Sequence, residues 1–223
     1  MPGKTILLPF FLTAFLISWI MWGGLILLTD VGAVEVNSAT YYVFFILGGF
    51  GPTIAPFIVL PIRLGKEGFV DFLKRWIFRF SARGTAYAAG IIFLTLAFVL
   101  LYFMHSGLAT EQSYPAPPAP WTALLTLFPM MIVGGGLEEV GWRGTALKEL
   151  LDRYSPLPAV SILSVLWVLW HIPLFFIPGT TQSTMNFVYF ALMGLGLSFL
   201  ISSVFILRRS AVPCIIAHPL FNA

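Results

Sequence analysis

Long apolar runs, separated by short polar stretches, dominate the chain. A helix crosses a hydrocarbon core of roughly 30 Å with about 20 apolar residues. Runs that meet this length lie at 5–28, 41–62, 85–104, 121–141, 157–176 and 185–207. A seventh begins near Ala211 and reaches only about 20 Å by Ala223 at 1.5 Å per residue, so the last span reads as truncated. The pattern predicts an all-α fold, a polytopic transmembrane helical bundle of about seven spans. The first run exceeds the roughly 7–15 residues of a signal-peptide core and is read as a retained span. No linker or internal repeat interrupts the pattern, so residues 1–223 are expected to form a single integral membrane domain. Within it, 1–120 holds the N-terminal spans and a basic interfacial segment, and 121–223 holds the helices that bear buried polar motifs.

The loops alternate in charge. All 12 Lys and Arg residues fall on one side of the predicted spans, from Lys4 through Arg63 to Arg83 and Arg143 to Arg153, ending with Arg208 and Arg209. The other side holds Asp30, Glu35, His105, Glu111 and a Pro-rich run at 114–120. The positive-inside rule therefore puts the N-terminus in the cytoplasm. Residues 68–83 mix Phe69, Val70, Phe72 and Trp76 with Lys74, Arg75 and Arg79, a pattern suited to an interfacial helix beside anionic lipid.

Composition narrows the function classes. Hydrophobic residues make up 59% of the chain and charged residues only 9%, against about 25% charged in soluble domains. The lipid bilayer is the expected solvent and partner. The net charge of +3 follows membrane topology, so no nucleic-acid partner is expected. A single cysteine, Cys214, excludes an internal disulfide and a CxxC zinc site.

Charges at membrane depth carry the candidate chemistry. The fourth run ends in Glu138-Glu139-Val140-Gly141-Trp142-Arg143, and each ionised group near the bilayer centre costs roughly 2.5–3.5 kcal/mol. Glu139 and Arg143 are i and i+4, so they share a face and can pair. Glu138 is turned about 100° away and is free to face another neighbour. A helix continuing to Tyr154 and reversing at Ser155-Pro156 would bring Glu138 level with His171, each roughly 25 Å from the turn. His218 and Asn222 form a second i, i+4 pair, inside the membrane as counted from Arg208 and Arg209. Gly134-Gly135-Gly136 is read as a site of close approach or local unwinding. Trp167 and Trp170 are read as packing residues, and His105 as interfacial.

Three motifs in order, Glu138-Glu139-Val140-Gly141-Trp142-Arg143, Trp167 to His171, and His218 to Asn222, resemble the CPBP family, which includes the CAAX-type intramembrane peptidases and the bacterial Abi proteins. The resemblance covers roughly residues 120–223 and is to the bacterial branch, with Trp167 where phenylalanine is usual. It implies an intramembrane endopeptidase, acting on a peptide or protein substrate in a bacterial or archaeal cytoplasmic membrane. It also implies roles: Glu138 activates water with help from His171, His218 and Asn222 stabilise the oxyanion, and Glu139 and Arg143 shape the site. Family members are often called metalloproteases, and Glu138, His171 and His218 would be the zinc ligands if a metal were used; the His-Glu-x-x-His pattern of familiar zinc peptidases is missing. The alternative reading is a non-catalytic protein for bacteriocin self-immunity or complex assembly. A transporter would need inverted repeats, which the sequence lacks.

Overall fold

The computed structural model describes residues 5–79 and 130–221, which are helices and connecting turns. The expected span at 85–104, residues 121–129 of the fourth run, the Pro-rich loop and Asn222 lie outside the described residues.

Helix α1 (Leu7–Asp30) runs 24 residues, about 36 Å at 1.5 Å each. Phe10, Ala14, Ser18, Trp22 and Leu25 form its buried stripe at helical spacing, while Leu8, Leu12, Leu16 and Ile20 face outward. A helix that is apolar on its outer face as well belongs in lipid. Three described helices are long and apolar enough to cross a membrane: Leu7–Asp30, Pro156–Phe176 and Phe187–Arg208.

The expected single span at 41–62 is instead a broken pair. Helix α2 (Ala39–Gly49) starts at Ser38, whose hydroxyl accepts from the Tyr41 amide at 3.2 Å, and stops at Phe50. Helix α3 (Gly51–Phe72) leaves at an angle of 49° to it. Pro52 stands at the start of α3, where its missing N–H costs nothing. Beyond the expected end at 62, α3 continues through a kink at Gly65, whose φ is +72°, into a π-helical turn, Leu73–Ile77. The described part of the basic segment is thus the end of this long helix.

The regular fourth helix expected from the fourth run to Tyr154 is also interrupted. After helical residues 130–134 the chain turns at Gly135. It then forms α4 (136–151), a 3-10 turn Gly136–Glu138, an α-turn Glu139–Gly141, a π-turn Trp142–Leu147 and a last α-turn Lys148–Leu151. Two glycines explain the course. A Cβ on Gly136 would run into the Ile215 carbonyl, and one on Gly141 into the Pro52 carbonyl. Pro56 provides no N–H for that Pro52 oxygen, so the carbonyl is left to face α4. The glycine run therefore supplies both the unwinding and the close approach.

Helix α5 (Pro156–Trp170) passes into a 3-10 segment, Ile172–Phe176. Helix α6 (Phe187–Arg208) is capped by Asn186, whose Oδ1 accepts from the Val188 and Tyr189 amides. After a left-handed turn at Arg209 comes α7 (Val212–Ala217), extended by a 3-10 turn, His218–Phe221. The Ala211 amide donates to the Trp76 carbonyl at 2.9 Å, tying α7 to the end of the α3 segment.

Candidate active site

Each motif sits where its helix changes pitch. Glu138 closes the 3-10 turn of α4, His171 follows the last residue of α5, and His218 opens the 3-10 turn after α7. Such transitions release backbone groups from the helical ladder, and His171 uses one. Its amide bonds to the Val168 carbonyl, three residues back, which leaves the Trp167 carbonyl to accept from His171 Nδ1 at 2.7 Å. A carbonyl oxygen only accepts, so Nδ1 carries the proton and Nε2 of the neutral ring is an acceptor.

The adjacent carboxylates have different fates, as their 100° separation predicts. Glu139 is fully buried and its Oε1 accepts from Arg143 Nη1 at 2.8 Å. The same oxygen lies 2.6 Å from His218 Nδ1. Arg143, also fully buried, gives Nη2 to the Ser198 hydroxyl at 2.8 Å and to the Ser198 carbonyl at 3.1 Å. Ser164 donates to the Ser198 hydroxyl at 2.8 Å, which brings α5 into the network. A buried guanidinium needs such partners, because an unpaired charge in the interior costs several kcal/mol.

Glu138 stands apart from this network. It keeps 7% exposure, and its Oε2 accepts from Trp167 Nε1 at 3.4 Å. Glu138, His171 and His218 all line one cavity of about 780 Å³. The other described walls are mainly apolar, including Trp22, Phe45, Phe190, Met193, Leu197 and Leu200, with Thr181 and Gln182 as polar members. The structure thus brings Glu138, His171 and His218 to one cavity, and Glu139 and Arg143 together behind it; Asn222 lies outside the described residues. Among the described residues the contact of Glu139 with His218 is the one carboxylate–imidazole approach within 4.0 Å. Glu138 and the two imidazoles therefore face the cavity without touching.

That spacing bears on a metal. Among the described residues no three His, Cys, Asp or Glu side chains gather as a ligand set. Each imidazole is held through Nδ1, His171 by a carbonyl and His218 by Glu139, so the misfit to a three-ligand zinc centre lies in the spacing of Glu138 from the two rings and not in the rings' own hydrogen bonds.

Two features escaped the sequence reading. Trp167, read as packing, touches Glu138, His171, His218 and Arg143 at once. Ser164 and Ser198 support the arginine; hydroxyls within apolar spans were the available signal.

The profile of the family described as Type II CAAX prenyl endopeptidase Rce1-like matches residues 119–223, the stretch holding all three motifs. Residues 119–223 thus resemble the Rce1-like family. The chain is also similar to CAAX prenyl protease 2 of Methanococcus maripaludis, 27% identical over 181 residues, covering 78% of this chain and 64% of the relative. The chain thus spans less than two thirds, 64%, of that relative's length. The described Rce1-like region runs from the end of the fourth run to the turn after α7, and it contains the carboxylate pair, both imidazoles and the arginine network.

Proposed function

We propose that this protein is an intramembrane endopeptidase in which Glu138 is the general base. The observation that carries the reading is the shared cavity: one buried carboxylate and two buried imidazoles lining a space walled mainly by apolar side chains. The separation of Glu138 from the imidazoles suits a water held between them. Glu138 takes the proton from that water as its oxygen attacks the scissile carbonyl, and the resulting carboxylic acid then protonates the leaving amine. His171 Nε2 is the acceptor that orients the water's second hydrogen, because Nδ1–H is committed to the Trp167 carbonyl. His218 and Asn222 donate to the oxyanion. For His218 to do so through Nε2 while Nδ1–H stays on Glu139, the ring must hold both protons, and the carboxylate 2.6 Å away is its counter-charge. Donors fixed in advance at an oxyanion contribute about 2.7–4 kcal/mol each.

The substrate class follows from the cavity and the relative. An apolar space of this size, opening beside α6 residues Leu192 and Met193, supports a peptide presented from the membrane. The name of the archaeal relative supports a C-terminal CAAX peptide bearing an isoprenyl group. We place the protein in the cytoplasmic membrane as one domain with a cytoplasmic N-terminus, a reading supported by the twelve basic residues on one side of the predicted spans.

The test is cleavage by the full chain in lipid vesicles of a quenched fluorogenic CAAX peptide, with and without a farnesyl group on its cysteine. Glu138→Gln should lower kcat on the order of 10²–10⁴-fold, with the folded protein retained. A Glu138→Gln protein that cleaves at the wild-type rate would overturn the assignment.

A further inference from the structure

We infer that Trp167 is the positioning residue of this site, with its indole N–H fixing the reacting carboxylate. The inference rests on the reading of Glu138 as general base. Trp167 is 3% exposed and stands at the centre of the constellation. Its Nε1 donates to Glu138 Oε2 at 3.4 Å, and its backbone carbonyl accepts from His171 Nδ1 at 2.7 Å. The indole meets the His171 ring edge-on at 4.7 Å and the His218 ring at 5.8 Å. Arg143 Cζ lies 5.5 Å from the same indole. One residue thus contacts the base and both imidazoles, although these do not touch Glu138 themselves.

The comparison with other buried indoles gives the contact its meaning. Buried Trp22 donates to the Phe45 carbonyl, and the more exposed Trp19 to that of Trp170, the last residue of α5. Trp170 is buried with no hydrogen-bond partner for Nε1 among the described residues. Packing alone therefore tolerates an unpartnered indole in this interior. Trp167 instead addresses a carboxylate oxygen. Holding Oε2 leaves Oε1 as the oxygen for water and restricts rotation of the carboxylate about its last bond. Phenylalanine at 167 could pack against both imidazoles but could not make this bond.

The decisive variant is Trp167→3-benzothienylalanine, which keeps both fused rings and replaces the N–H with sulfur. Assayed in vesicles with the farnesylated reporter peptide, it should show kcat about tenfold lower, the low end for a hydrogen bond to a charged group of this length. KM should stay within about twofold, with an unchanged unfolding midpoint. Trp167→Phe should lose the same factor in kcat. In the Glu138→Gln background, removing the N–H should change residual kcat by less than about twofold, because the two groups act as a unit. An unchanged kcat, or a loss confined to KM or to the unfolding midpoint, would overturn the inference. A reading independent of activity comes from the indole ¹⁵N–¹H resonance of Trp167, identified by its loss in Trp167→Phe. It should shift on Glu138→Gln, and a resonance that stays in place counts against the contact. Full cleavage by Glu138→Gln would remove the base assignment itself, whereas an inactive Glu138→Gln beside an unaffected benzothienyl variant removes only the role of Trp167.

Discussion

His218 Nδ1 and Arg143 Nη1 meet on one oxygen, Oε1 of Glu139, at 2.6 and 2.8 Å, joining an imidazole and a carboxylate 79 positions apart in sequence. Glu139→Gln should therefore act twice. It leaves Arg143 buried without its counter-charge, a loss of about 3–5 kcal/mol, read by denaturant unfolding in detergent. It also frees the His218 ring, and cleavage should fall at least about tenfold. A stability change under about 1 kcal/mol would show that Ser198 alone satisfies the guanidinium.

Ser198 serves Arg143 and Ser164 together. Ser198→Val strands the Ser164 hydroxyl while the Ser198 carbonyl still accepts from Arg143. The expected cost is about 1–3 kcal/mol. Pairing Ser198→Val with Ser164→Ala should recover part of it, since both hydroxyls are then gone. Strict additivity of the two changes would argue against the contact.

Close approach of α4 to α3 depends on Gly141, whose added Cβ would meet the Pro52 carbonyl. Gly141→Ala should destabilise the fold by about 1–3 kcal/mol through overpacking, despite the better helix propensity of alanine. A gain in unfolding midpoint would mean that the two helices separate freely.

Lys148 ties α4 to the end of α3, with Nζ 2.8 Å from Glu149, 2.9 Å from Asp152 and about 5.5 Å from the Phe72 and Trp76 rings. Burial alone would lower its pKa, but hydrogen bonds and charge from Glu149 and Asp152 outweigh that and raise it above the ordinary 10.5. A cation with a raised folded-state pKa contributes fully below the unfolded value and loses its contribution as pH climbs through the folded value. Unfolding midpoints in detergent should therefore fall above pH 10.5, and Lys148→Gln should flatten that limb. An identical alkaline limb in the variant would assign the loss to other groups.

Hydropathy located α1, α5 and α6 closely, because each is a continuous apolar run of membrane length. It missed the break between α2 and α3, since Gly48 to Pro52 lies within an otherwise apolar run and hydropathy ignores backbone geometry. The pairing of Glu139 with Arg143 was legible as an i, i+4 relation within one helix. The level placement of Glu138 and His171 was anticipated from a regular hairpin; the 3-10 and π turns of α4 change its pitch, yet both residues reach the same cavity. Trp167 was not legible as more than a packing residue. Apolar rings fill both packing and positioning roles, and only the direction of an N–H separates them.

The ion pair within α4 also bears on biosynthesis. Glu139 and Arg143 are one turn apart, so this helix carries its own counter-charge into lipid and need not wait for a neighbour. The imidazole that completes the triad arrives only after α5 and α6 have been made. Until then Glu139 and Arg143 hold each other without His218, and on the proposed reading a partly translated chain has its general base but not the imidazole donor it needs to cut the membrane proteins around it.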